Sequence, residues 1–175
     1  MDKHRRTSRR DNWLAEQRVD RVEMCMQPGV IRALYDDPFV QDRYGEGSYY
    51  GFCPAPERFY LVGYRNDEPI GCVLCIIKTW FDIEVHLCVP EINKPLGPEF
   101  ARMVIDWLFA NAPVSRISTS VVGVFPQVRN FVRRLGFTEE GTARGAAYRD
   151  STPVDLWCFS LLRGENYGRK RRKRS

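Results

Sequence analysis

Phe131-Val132-Arg133-Arg134-Leu135-Gly136-Phe137-Thr138-Glu139-Glu140-Gly141 is the stretch on which the reading of the fold turns. Its first half continues a helical pattern that begins at Gln127. Gly136 closes that helix, because glycine accepts the left-handed conformation in which helices commonly end. Its second half leads into two β-rich runs, 142–148 and 154–162, which turn at Asp150-Ser151-Thr152-Pro153. Upstream, 115–122 predicts a strand and 98–111 a helix, with Phe100, Met103, Val104, Trp107 and Leu108 along one apolar stripe. Pro98 suits the first helical position, where its missing N–H is no loss.

Further out, 81–89 alternates cleanly. Ile83, Val85, Leu87 and Val89 line one side of this predicted strand, and Glu84, His86 and Cys88 the other. The runs 59–64 and 69–78 read as a hairpin joined through Arg65-Asn66-Asp67-Glu68. A first strand is expected over 19–26, broken by Pro28-Gly29. One or two short helices follow over 30–44, interrupted near Pro38, and 45–58 and 90–97 read as loops.

A chain of 175 residues with 43% hydrophobic content can bury a core, which excludes wholesale disorder. It has no apolar run of about 18 residues, and Met1-Asp2-Lys3-His4-Arg5-Arg6 leads into charge. Neither a membrane span nor a signal peptide is expected, and, with cysteines that need no disulfide framework, a cytoplasmic location is the simpler expectation. The net charge of +5 is concentrated at the ends: residues 1–11 carry +3, residues 163–175 carry +6, and the body from 12 to 162 is mildly acidic at −4. The division expected is a basic leader over 1–18, one folded domain over 19–163 and a basic tail over 164–175. Arg169-Lys170-Arg171-Arg172-Lys173-Arg174 reads either as an electrostatic contact for nucleic acid, weakening as salt rises, or as a solvated tail.

Cys72 and Cys75 have the spacing of a metal or redox pair, but on a strand positions three apart face opposite sides. With His4 and His86 the only histidines, no metal site is expected, and an intracellular chain of this size needs no disulfide framework.

The order of elements, together with 131–141 and with Glu84-Val85-His86-Leu87-Cys88-Val89-Pro90-Glu91, resembles the GNAT superfamily of acyl-CoA-dependent N-acyltransferases across roughly residues 19–163. The resemblance implies an α/β (α+β) fold. A mixed, mostly antiparallel sheet of about six or seven strands would carry helices on both faces and splay between its fourth and fifth strands. Acetyl-CoA, or another acyl-CoA, would lie in the gap between 83–90 and 115–122. Its pyrophosphate would meet backbone N–H groups of the loop Lys94 to Glu99, as anions meet helix starts generally. The contacts implied are Leu87, Val89, Lys94, Gly97, Glu99 and Phe100. Glu84 would accept the proton of an amine acceptor through water, with His86 on the same side, and Tyr148 and Arg149 would border the acceptor.

The chain departs from the family at four places. Pro98 deletes a loop donor, and Glu99 sets a carboxylate where the pyrophosphate is expected. Val132 stands where the family has a Tyr general acid, and Phe125 where it has an Asn. Two readings therefore stay open: an N-acyltransferase, weak or inactive, or a catalytically degenerate bacteriophage head-assembly or internal virion protein that keeps the fold and meets nucleic acid through its basic ends.

Overall fold

The computed structural model describes residues 18–44 and 52–165. The expectations for residues 1–17 of the basic leader, for the 169–174 run and for residues 45–51 of the 45–58 loop fall outside them.

Seven strands form one sheet in the order β1-β2-β3-β4-β5-β7-β6. They are β1 (Arg21–Met24), β2 (Arg58–Arg65), β3 (Glu68–Ile77), β4 (Asp82–Cys88), β5 (Arg116–Val122), β6 (Thr138–Arg149) and β7 (Thr152–Leu162). Every pairing is antiparallel except that of β4 with β5. Both hairpins turn on two consecutive residues with positive φ, Asn66-Asp67 and Asp150-Ser151, which suits the right-handed twist of the strands they join. Pro153 is therefore already in β7, opposite Tyr148, and not part of the turn.

Four helices cover the sheet. On one face lie α1 (Pro28–Tyr35) and α2 (Pro38–Gln41), whose Ile31, Leu34, Tyr35 and Val40 pack with Tyr60, Val62, Cys72, Leu74 and Cys88. On the other lie α3 (Gly97–Asn111) and α4 (Pro126–Arg134), packed over Leu61, Val73, Cys75, Ile83, Ile117 and Phe159. Cys72 and Cys75 thus belong to opposite cores. The first strand ends before Pro28, and Pro28 is also the first residue of α1, a position that asks nothing of the missing N–H. The segment expected as a loop over 90–97 is wound into a 3-10 turn, Glu91–Leu96, that runs straight into α3. Gly136 has φ of 102° and ends α4 as expected.

Phe100 is the hinge pin between α3 and the sheet, and it is fully buried. Its ring lies against Gly63 and Gly71. A Cβ at Gly63 would come within 2.6 Å of that ring, and one at Gly71 within 2.7 Å of the Cys88 carbonyl oxygen. Burying such a ring contributes about 2–3 kcal/mol, and its fit fixes where α3 begins relative to the end of β4. No helix among the described residues is long and apolar enough to cross a membrane.

Candidate active site

The seam between β4 and β5 is paired at one end only. Asp82, Ile83 and Glu84 match Arg116, Ile117 and Ser118, and there the ladder stops, although β4 runs on to Cys88 and β5 to Val122. β5 keeps its full pairing with β7 down to Val122 opposite Leu156. The two halves of the sheet therefore part beyond Glu84. The Thr119 hydroxyl crosses the start of the gap and donates to the Val85 carbonyl at 2.8 Å, and the Tyr44 hydroxyl, from the segment after α2, donates to the Leu87 carbonyl at 3.3 Å. Carbonyls two residues apart on a strand point the same way, so both belong to the edge that β5 has left.

The closed end is held by charge. Arg116 donates through Nε to Asp82 at 3.0 Å and through both terminal nitrogens to Glu140 at 2.7 and 2.6 Å. Ser118 donates to Asp82 and Ser160 to Glu140. The Arg116 guanidinium, with the Ser160 hydroxyl, holds the Glu140 carboxyl down to about 2.

Glu84 is the last residue of β4 paired with β5, and His86 the next on the same face. His86 Nε2 lies 3.1 Å from Glu84 Oε1, and Lys78 Nζ lies 3.0 Å from Glu84 Oε2. Hydrogen bonding from His86, then from Lys78, outweighs burial and brings the Glu84 carboxyl down to about 2. His86 is only 8% exposed, so neighbouring elements cover the sheet face at this point. Both Glu84 carboxylate oxygens already have partners, His86 and Lys78, which leaves the imidazole as the candidate to accept the amine proton. The pair borders a cleft of about 360 Å³ whose other walls include Arg58, Leu74, Ser120 and Leu156.

On the opposite side, the residues implied for acyl-CoA spread apart. Leu87 and Val89 line the parted edge of β4 with their side chains against the α3-side core. Lys94 sits in the 3-10 turn with Nζ 5.1 Å from the centre of the Phe39 ring. The Gly97 N–H donates to the Lys94 carbonyl, so this donor, like the one Pro98 lacks, is not offered to an anion. Glu99 corrects the expectation of a repelling carboxylate: its Oε2 accepts from the Val19 N–H at 3.2 Å, which turns it toward the chain leading into β1. Phe100, buried among glycines, has only its backbone to present. Val132 is a core residue of α4.

A group that the linear pattern does not reveal closes the mouth of the gap. The Arg43 guanidinium stacks on Phe39 at 4.5 Å and on Phe125 at 5.0 Å, and Arg149 stacks on Phe125 at 4.9 Å while pairing with Asp42 at 2.7 Å. With Lys94, three cations and two rings bridge the ends of β4 and β5, with the Asp42 carboxylate against both Arg43 and Arg149 and that of Asp150 3.9 Å from Arg149. Arg149 comes from β6, 107 residues from Asp42, so only topology assembles the group.

No family model matches this sequence, and neither does any curated protein. Solved structures do match by shape. The chain superposes on spermidine N-acetyltransferase from Vibrio cholerae, crystallised with CoA and spermine, with a TM-score of 0.72 and 15% identity over 83% of this chain and 96% of that one. A protein described as a probable GNAT-family acetyltransferase from Chromobacterium violaceum ATCC 12472 gives 0.68 and 19% identity, over 85% and 91% of the two chains. A third structure, assigned provisionally as an acetyltransferase, gives 0.56 and 18% identity over 63% of this chain, which spans 60% of that one. These likenesses establish the fold: it is that of the GNAT N-acetyltransferases.

Proposed function

We propose that the chain is an acyl-CoA-dependent N-acyltransferase, with acyl-CoA entering the parted seam and an amine acceptor entering the cleft beside Glu84 and His86. The observation that carries this reading is the coincidence of the two features: pairing of β4 with β5 ends at Glu84, and the Glu84–His86 pair stands at that point.

The acyl-CoA supplies a thioester carbonyl carbon and a thiolate leaving group. The edge carbonyls of Val85 and Leu87 suit the amide N–H groups of an extended arm, as a strand edge suits an added strand. Arg43, Lys94 and Arg149 give the mouth of the gap the positive charge that phosphates require, and they do so with side chains where the loop has lost backbone donors. Glu84 orients His86 by accepting from Nε2–H, and an imidazole held beside a carboxylate is suited to take up a proton. His86 then receives the proton that the amine nitrogen sheds as its bond to the acyl carbon forms and the carbon–sulfur bond breaks. The thiolate leaves without a tyrosine acid, taking its proton from water.

Acetyl-CoA binding tests the reading. A ligand that binds only the folded state at one hundred times its Kd raises stability by about 2.7 kcal/mol. The melting temperature therefore rises with acetyl-CoA concentration; an unchanged melting curve at saturating concentrations would remove the proposal.

A further inference from the structure

The acceptor cleft has an uneven distribution of charge. Its titratable walls are Arg58, Glu84 and His86, and the rest of the lining is Ser120 and aliphatic side chains such as Leu74, Ile76 and Leu156. Glu84 is already neutralised by Lys78 and held by His86. Among the described residues, no uncompensated carboxylate lines the space.

Arg58 is the unexplained group. It opens β2, pairs with Ile76, and lies in one row with Ile76 and Glu84 across three strands. Its Nε is buried and has no hydrogen-bond partner. The nearest carboxylate, Glu57, is 3.9 Å from Nε, too far for a hydrogen bond. An orphaned guanidinium N–H in a cleft is costly unless a ligand satisfies it, and a guanidinium is shaped to take a carboxylate by two parallel hydrogen bonds.

We infer that the acceptor is a small amino acid, its amine at His86 and its carboxylate on Arg58, with the aliphatic wall taking the carbon chain between or beside them. This rests on the N-acyltransferase reading and names the substrate class of that same site. Two strand spacings, about 10 Å, separate the Arg58 and Glu84 backbones. The inward-reaching side chains leave room for a molecule of a few carbons between the two charges. The volume of about 360 Å³ sits at the low end of the roughly 300–1,000 Å³ of small-molecule sites. A polycationic amine would find Arg58 opposing it and Glu84 already occupied.

The test uses matched pairs of acceptors with acetyl-CoA, following release of the CoA thiol: leucine against leucinamide, 6-aminohexanoate against hexylamine, and spermidine as the polycation. In at least one pair the acid has a KM about 10- to 100-fold below that of its partner without a carboxylate, the span expected for one charge-assisted pair. Arg58→Gln raises that KM by the same factor, leaves kcat and the KM of the partner without a carboxylate within about two-fold, and Arg58→Lys recovers part of the loss. Equal use of both members in both pairs, or preference for spermidine, overturns this inference and leaves the transferase reading standing. Absence of thiol release with every acceptor, together with absence of acetyl-CoA binding, removes both.

Discussion

The two ends of the β4–β5 seam are a few residues apart and built on opposite terms. At the closed end, Arg116 ties β4 to β5 and β6 through Asp82 and Glu140, and two serines complete the network. At the open end a single threonine hydroxyl joins β5 to β4, a tyrosine hydroxyl from the segment after α2 caps the Leu87 carbonyl, and the mouth is spanned by cations on aromatic rings. The closed end spends its polar groups on each other, as a structural staple does. The open end leaves edge carbonyls and positive charge facing a space, which is how a site for an anionic, amide-bearing arm is arranged.

If the difference is one of role, substitutions should separate. The largest effect is expected on chemistry at the open end: His86→Gln lowers kcat by about 10²-fold, the usual size of a lost acid–base group, and flattens the pH–rate profile while acetyl-CoA binding stays unchanged. A loss of acetyl-CoA affinity instead would place His86 in binding. Next is Arg116→Ala at the closed end. It leaves Asp82 and Glu140 without their cation and costs about 2–3 kcal/mol in denaturant unfolding, below the range for fully buried pairs because Arg116 is 25% exposed. A loss under about 0.5 kcal/mol would make the network an exposed decoration.

The acid limb of stability should show the same staple. Glu140 and Glu84 each titrate near 2 in the folded protein against an ordinary 4.5. Between those values the folded chain holds fewer protons than the unfolded one, so their contribution is fully present above pH 4.5 and is lost as pH falls through about 2. Glu140→Gln should flatten stability against pH in that window; an unchanged slope would contradict the assignment. The smallest effect belongs to Tyr44→Phe, which removes one 3.3 Å hydrogen bond. Unfolding free energy should change by less than about 1 kcal/mol, with acetyl-CoA binding retained or tightened, since a guest amide takes over the Leu87 carbonyl. A ten-fold weaker affinity would mean that the hydroxyl itself meets the cofactor.

Much of this arrangement is legible from sequence because it is local. Period-two alternation over 81–89 places Glu84 and His86 on one face, and Leu135-Gly136-Phe137 marks where the last helix stops. Alternation says which side a residue faces but not what covers it, so the burial of His86 beneath neighbouring elements was out of reach. The destination of Glu99 was hidden for the same reason, since its partner Val19 is 80 residues away. Arg43 and Arg149 lie in segments with no periodic signature, and only the crossing of β6 past α2 brings them onto one ring. Arg58 reads as an ordinary strand-opening cation until its unsatisfied Nε is seen.

The central claim is that the parted seam receives an extended thioester arm. Amide-resolved NMR during an acetyl-CoA titration tests it most directly. Saturable shifts confined to residues 85–90, 94–100 and 119–126 are predicted, with 82–84 and 116–118 unmoved. Shifts scattered over the surface, or none at saturating acetyl-CoA, would contradict the account.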